Sequence, residues 1–268
     1  MRFCTVLAIR KMSFANKSVV ITGAASGIGK AVAKHFAKES ADLSLLDIDE
    51  DNLLKVAQEC EQLGSARVIK IAVDVSKDAD LEQAMGKIKQ EMAKINVLVN
   101  CAGIGGETCI TDPEAIKHFD RFMNINLRSV FATTHFALPA LIESKGCIVN
   151  ISSVLSQLVC KDTIGYCVSK AGVAQLTKCI ALDVAQYGVR VNCIAPGGVR
   201  TNIVRNNGAT NEEDERFWLS CIEKSALKRT VKVEEVVELI AYLAGDKASS
   251  ITGVEYIIDC GFSVATNS

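Results

Sequence analysis

The sequence predicts an α/β fold: a single doubly wound domain with a seven-stranded parallel sheet and helices on both faces. Three observations lead there. Short β-branched runs alternate with helical stretches along the chain, and strict alternation means right-handed crossovers between parallel strands. Apolar residues make up 49% of the 268 residues and aromatics only 5%, so the core is aliphatic, as suits strands covered on both faces. A glycine-rich turn joins the first strand to the first helix. A closed β/α barrel, the other fold built from this alternation, gives no reason for such a turn.

The elements follow in order. Ser18–Thr22, an unbroken Val-Val-Ile run, is the first strand, and Ile28–Lys38 the first helix. Asp42–Asp47 is a strand followed by a helix over Asp49–Leu63, and Ala66–Val73 a strand followed by a helix over Leu81–Met92. Asn96–Asn100 is a strand that leads into a long helical region across Ala115–Glu143. Gly146–Ser152 is a strand, Gly165–Tyr187 a helix and Val189–Ile194 a strand. From Thr201 to about Asn211 the chain is polar and lacks period, which reads as a loop. Val233–Ala244 is helical and Val254–Asp259 is the last strand. The domain covers residues 13–268, and residues 1–12 are an N-terminal extension with Arg2, Arg10 and Lys11 around a short apolar patch. That patch lacks the length and the small-residue cleavage site of a signal peptide; a frayed extension before Met12 is expected, with a weak transit sequence as the alternative.

Composition excludes several classes of function. The formal net charge is −1 with no long basic run, so neither a nucleic acid nor an acidic membrane surface is a partner. No uncharged apolar run reaches the length of a membrane span. The 11 cysteines are scattered, without a CxxC pair or a Cys/His cluster, so no metal is expected. Cys147, Cys179 and Cys193 sit in apolar runs and read as small buried hydrophobes in a reducing, cytoplasmic setting.

Val19-Val20-Ile21-Thr22-Gly23-Ala24-Ala25-Ser26-Gly27-Ile28-Gly29 runs from strand through glycines into helix. Glycine permits a tight turn and close backbone approach, and the new helix presents free N–H groups to a pyrophosphate. Asp47 closes the second strand, 18 residues after Gly29. A carboxylate there accepts both ribose hydroxyls of NAD and repels the 2′-phosphate of NADP. Ile48 follows it, with no Lys or Arg to favour a phosphate. Asp47 is alternatively a helix cap, a role Asp49 fills equally well. The expected cofactor is NAD.

Tyr166 and Lys170, four apart, lie on one helical face. A free phenol has a pKa of about 10 and is a poor base at neutral pH, and a fixed cation nearby stabilises the phenolate. The pair therefore suits general acid–base work at a reacting oxygen. Ser152 and Ser153 end the strand Gly146–Ser152, where ligands bind in open α/β sheets. Adjacent strand residues face opposite ways, so one of the two can orient a substrate oxygen. Neither lies in a Gly-x-Ser-x-Gly elbow, and hydrolase chemistry has no support.

Over residues 14 to 262 the chain resembles the short-chain dehydrogenase/reductase superfamily, of the single-domain Rossmann type. Five motifs agree in order: Thr22 to Gly29, Asp74-Val75, Asn100-Cys101-Ala102-Gly103, Ser153 with Tyr166 and Lys170, and Pro196-Gly197. The resemblance implies that Tyr166 is the acid/base, that Lys170 lowers its pKa and binds the nicotinamide ribose, and that Ser153, thirteen positions before Tyr166, orients the substrate. It implies that Asn126, rather than the equally placed Asn124, kinks a central helix and holds a proton-relay water. Cofactor contacts are implied at Gly23, Ser26, Gly27, Ile28 and Gly29, at Asp47 and Ile48, and at Asp74 and Val75 beside the adenine. Asn100, Ala102 and Gly103 would follow the adenosine, and Pro196, Gly197, Val199 and Thr201 the nicotinamide. The chain departs from the pattern at Cys101, where a second asparagine is usual, and at Asp259-Cys260-Gly261, where Asp-Gly-Gly is usual.

The segment after Thr201, ending in the apolar cluster Phe217, Trp218 and Leu219, suits a mobile lid, with Trp218 either covering an apolar substrate or anchoring a surface helix. Arg205 is the one obvious cation for a hydroxy-acid substrate. The expected activity is NAD(H)-dependent interconversion of a secondary or primary alcohol and its carbonyl compound, on an apolar substrate such as a steroid, isoprenoid or fatty alcohol. An NAD-binding regulator without turnover, or an NAD-dependent epimerase or dehydratase, would be the alternatives. The resemblance further implies a homo-oligomer, a tetramer or dimer built on the two long helices.

Overall fold

The computed structural model describes residues 14–265; the extension over residues 1–12 lies outside them. Seven strands form one sheet in the order β3-β2-β1-β4-β5-β6-β7, and every neighbouring pair is parallel. The strands are β1 (Ser18–Thr22), β2 (Asp42–Asp47), β3 (Val68–Ala72), β4 (Val97–Asn100), β5 (Cys147–Ile151), β6 (Arg190–Pro196) and β7 (Glu255–Ile258). Strand order reverses direction between β1 and β4, which opens a crevice at their carboxyl ends. The helices are α1 (Gly27–Lys38), α2 (Glu50–Leu63), α3 (Asp78–Met92), α4 (Ala115–Phe122), α5 (Ser129–Ser144), α6 (Ile164–Val184), α7 (Asn211–Lys224), α8 (Val233–Ala244) and α9 (Phe262–Ala265).

Side chains alternate across each strand and build two cores. Val19 and Ile21 of β1, Leu43 and Leu45 of β2, and Val97 and Val99 of β4 face α1, α2 and α8. Val20, Leu46 and Leu98, the residues between, face α3, α5 and α6. These side chains are essentially inaccessible to water, and each contributes roughly 1.5–3 kcal/mol by its burial. Among the described residues no helix is long and apolar enough to cross a membrane.

Two regions carry more structure than the run of expected elements. The loop from Thr201 to about Asn211 is followed by a helix, Asn211–Lys224, entered through a capping box between Thr210 and Glu213. The long helix over Ala115–Glu143 is interrupted by a π-helical turn, Met123–Arg128. Such turns carry an extra residue and often mark functional sites.

Candidate active site

The first strand delivers the glycine turn. Gly23 and Gly27 have φ of +67° and +52°, which glycine adopts without strain. A Cβ on Gly29 would collide with the Gly23 carbonyl oxygen, and one on Gly23 would lie 2.8 Å from Ala102 Cα. The turn is thus packed backbone to backbone, against both its own helix and the loop after β4. Ser26 is exposed at the helix entrance, and its side chain makes no capping bond. Ile28 is half-buried against the α1 core. The N–H groups at the α1 entrance, set by this tight turn, make a cradle that fits a pyrophosphate.

The second strand delivers Asp47. Its Oδ2 accepts from the Ala25 N–H at 2.9 Å and its Oδ1 from the Asp49 N–H at 3.0 Å. The carboxylate is therefore fixed at the lip of the glycine turn. Asp49, not Asp47, caps α2 by accepting from the Asn52 N–H. Ile48 is exposed beside it. After β3, Asp74 accepts from both the hydroxyl and the N–H of Ser76, which hold its carboxyl below the usual range against the cost of burial. Val75 is buried next to it.

The loop after β4 is secured by a residue the sequence reading gave no role of its own. The Thr22 hydroxyl accepts from the N–H groups of Cys101 and Ala102, both at 3.1 Å. This bond does not involve the Cys101 side chain, so the departure there leaves the loop in place. Burial pushes the Cys101 thiol up to about 12. The Asn100 amide donates to Asn150 and Thr134 inside the sheet, so Asn100 acts as a strand-end brace. Gly103 lies between two expected catalytic side chains: a Cβ there would be 3.2 Å from Asn126 Oδ1 and 3.4 Å from Lys170 Nζ.

Asn126 sits in the π-helical turn and is fully buried, whereas Asn124 is exposed. Its Oδ1 accepts from the Ile104 N–H at 2.8 Å, and its Nδ2 donates to the Ile104 carbonyl and the Ser169 hydroxyl. The two adjacent serines part company. Ser152 donates to the Lys170 carbonyl at 2.9 Å and braces α6. Ser153 caps the short turn Val154–Ser156, and its side chain pulls the Tyr166 phenol down in pKa.

Lys170 is buried and donates to the Ile151 carbonyl at 3.0 Å. Its Nζ stands 5.7 Å from the centre of the Tyr166 ring. Burial pushes the Tyr166 phenol above its ordinary value, and the opposing pull comes from Ser153. Burial likewise pulls Lys170 down, because the interior disfavours either charge. The Tyr166 ring is held edge-on by Phe122, with centroids 6.4 Å apart and planes at 83°.

On the far side, Gly197 passes the end of β7 so closely that a Cβ would lie 2.8 Å from Asp259 Cβ. Pro196 ends β6 and is buried, and Val199 is buried and paired with Val231. Thr201 reaches back over Gly27, 3.4 Å from the position of a Cβ there. Trp218 is not a cover: it is 2% exposed, and its indole N–H donates to the buried Asp214 at 2.8 Å. It anchors α7, while Phe217 and Leu219 are half-exposed. Arg205 donates to the other Asp214 oxygen at 3.0 Å. Cys179 is exposed, contrary to expectation, while Cys147 and Cys193 are buried.

These positions define a dinucleotide-type α/β site with a serine, a tyrosine and a lysine gathered at the carboxyl end of β5. Residues 23–263 match the family model described as enoyl-(acyl carrier protein) reductase. The chain is 36% identical to meso-2,3-butanediol dehydrogenase of Serratia marcescens, over 93% of this chain and 96% of that one. It is 34% identical to the 3-oxoacyl-[acyl-carrier-protein] reductase of Thermotoga maritima, over 94% and 100%. Among solved structures, levodione reductase superposes with a TM-score of 0.85 at 31% identity, covering 94% of this chain and 99% of that one. The chain belongs to the short-chain dehydrogenase/reductase superfamily and is an oxidoreductase of that type.

Proposed function

We propose that the protein interconverts an uncharged secondary alcohol and its carbonyl compound with NAD(H). The observation that carries this reading is the grouping of Ser153, Tyr166, Lys170 and Asn126 beside the glycine cradle. Ser153 orients the substrate oxygen, and the Tyr166 phenol gives it a proton or takes one. Lys170, fixed by the Ile151 carbonyl, holds a cation behind the phenol and reaches the nicotinamide ribose. Asn126 fixes the Ile104 backbone and supports a proton-relay water. The cofactor, held by the cradle, Asp47 and the loops after β3, β4 and β6, supplies or accepts hydride.

NAD over NADP is favoured by Asp47, since two backbone N–H groups hold its carboxylate at the turn and a 2′-phosphate there meets a fixed negative charge. An uncharged substrate is favoured by Arg205, whose guanidinium is already paired with Asp214. A relative 32% identical to this chain is a cyclohexanol dehydrogenase from an Acinetobacter species, which acts on a neutral ring alcohol by its name. Self-association through α5 and α6 is supported by an apolar groove between them, lined by Leu127, half-exposed Phe131, Leu176 and Cys179.

The test is NAD reduction over a panel of steroid, isoprenoid, aliphatic and polyol alcohols, repeated with NADP. Turnover with NAD is expected, together with a loss of about 100-fold or more in Tyr166→Phe. Because burial holds the phenol high, oxidation should gain as pH rises and carbonyl reduction should gain as it falls. Unchanged turnover in Tyr166→Phe, or preference for NADP at equal concentration, refutes the reading.

A further inference from the structure

Glu255 stands at the start of β7, beyond β6 from the strand that delivers Ser153. Both of its carboxylate oxygens are used on the turn that follows Ser153. Oε1 accepts from the Ser156 hydroxyl at 2.7 Å and Oε2 from the Gln157 amide at 2.8 Å. Ser156 closes the short helical turn Val154–Ser156, and Ser153 caps it by accepting from the Leu155 N–H at 3.2 Å. The hydroxyl that faces Tyr166 is thus the first residue of a turn whose last residue is tied to a strand about 100 positions further along the chain. Apart from that tie, the turn is held by the Ser152 N–H donating to the Ile194 carbonyl at its strand end and by buried Val154, and among the described residues no other side-chain hydrogen bond reaches Ser156 or Gln157.

We infer that Glu255 is a positioning residue: by clamping Ser156 and Gln157 it fixes the turn that aims the Ser153 hydroxyl at the reacting oxygen. Hydrogen bonds to a carboxylate are stronger than neutral ones, and a two-point clamp fixes direction as well as distance. Glu255 does not itself touch the reacting atoms. The inference rests on the role given to Ser153 under the proposed function.

The residue types permit a swap. In Glu255→Gln both charge-assisted bonds become neutral, and the amide keeps its oxygen on Gln157 only by turning its NH2 to the Ser156 hydroxyl, which must then accept rather than donate. Adding Gln157→Glu restores an amide–carboxylate pair with the ends exchanged, and the amide oxygen now at position 255 still accepts from Ser156. Three measurements separate the outcomes: steady-state kinetics on the best alcohol of the panel, NADH binding by fluorescence, and backbone amide exchange over residues 153–158. Glu255→Gln is expected to lower kcat about tenfold, since small misplacements of a reacting group cost up to about a hundredfold. It should also speed exchange at Leu155, leave NADH affinity within about twofold, and be reversed on both counts by the double variant. Unchanged exchange, faster exchange without loss of kcat, or a double variant as poor as Glu255→Gln overturns the inference. Ser153→Ala is the separate control. If it turns over at the wild-type rate, the proposed role of Ser153 fails; if it is impaired while the Glu255 variants are not, the clamp alone fails.

Discussion

Gly165 immediately precedes Tyr166 and is buried. A Cβ added there would lie 2.8 Å from Phe122 Cδ2 and 2.9 Å from Thr108 Oγ1. Both neighbours are themselves buried, at 4% and 3% exposure, so neither can swing into solvent. Overpacking of this kind costs about 1–3 kcal/mol, and alanine returns up to about 1 kcal/mol of helix propensity over glycine. Gly165→Ala should therefore lose only about 0–2 kcal/mol, a fall in Tm of no more than about 8 °C for a chain of this size. The effect on catalysis should be larger. The Phe122 ring that must yield is the one set edge-on against Tyr166, and a displacement of the phenol by about 1 Å can cost about a hundredfold. The signature is a fall in kcat of about 10- to 100-fold at nearly wild-type Tm, with NADH affinity unchanged because the glycine cradle lies elsewhere. Steady-state kinetics beside a thermal melt decide it. A folded Gly165→Ala protein with kcat within about threefold of wild type refutes the coupling of Phe122 to Tyr166.

Three further outcomes are expected. Asp47→Ala removes a charged acceptor worth about 1.5–3 kcal/mol per bond, so the ratio of kcat/KM for NAD over NADP should fall at least about tenfold; an unchanged ratio assigns the preference elsewhere. Asp214→Ala leaves the buried Trp218 N–H without its acceptor, a loss of about 1–3 kcal/mol in urea unfolding. Asp214→Asn, which keeps an oxygen for that bond, should lose less. Glu235 is held from its ordinary value of 4.5 down to about 2 by the guanidinium of Arg229. A carboxyl depressed by folding stabilises the fold above its unfolded pKa, and that contribution is lost as pH falls through the folded value. Wild type should therefore lose more stability between about pH 5 and pH 2 than Glu235→Gln does; parallel acid-unfolding curves refute it.

Most of the sheet was legible because each strand is short, aliphatic and followed by a helical period, and burial on both faces leaves such runs nowhere else to go. Helix α7 was not legible for a physical reason. Asn211–Lys224 buries only Asp214 and Trp218, one pair four residues apart, so it carries no apolar stripe to reveal a period. Its one readable signal was the Thr210–Glu213 capping box. The π-helical turn left no signal in the chain's period, and only the resemblance pointed to a kink at Asn126. It inserts a residue into an otherwise helical pattern without changing composition, and only packing against α6 shows where.

In the site, residue types were legible and their pairings were not. Strand alternation said that one of Ser152 and Ser153 faces the reacting atoms, but which one depends on the α6 carbonyl that Ser152 finds at Lys170. Two asparagines two apart in Met123-Asn124-Ile125-Asn126 look alike to any local rule; burial against Ile104 and Ser169 separates them. The roles of Thr22 and Glu255 depend on contacts across 79 and 99 positions, beyond any window. The electrostatics of the pair was not legible for a related reason. Placing a lysine four residues after a tyrosine suggests a lowered phenol pKa only if the charge survives burial. Here burial pushes the Tyr166 phenol up and the Lys170 ammonium down, because the interior disfavours either charge. Ser153 pulls the phenol down against that burial, which ties the proposed proton transfer to the aim of its hydroxyl as well as to the lysine.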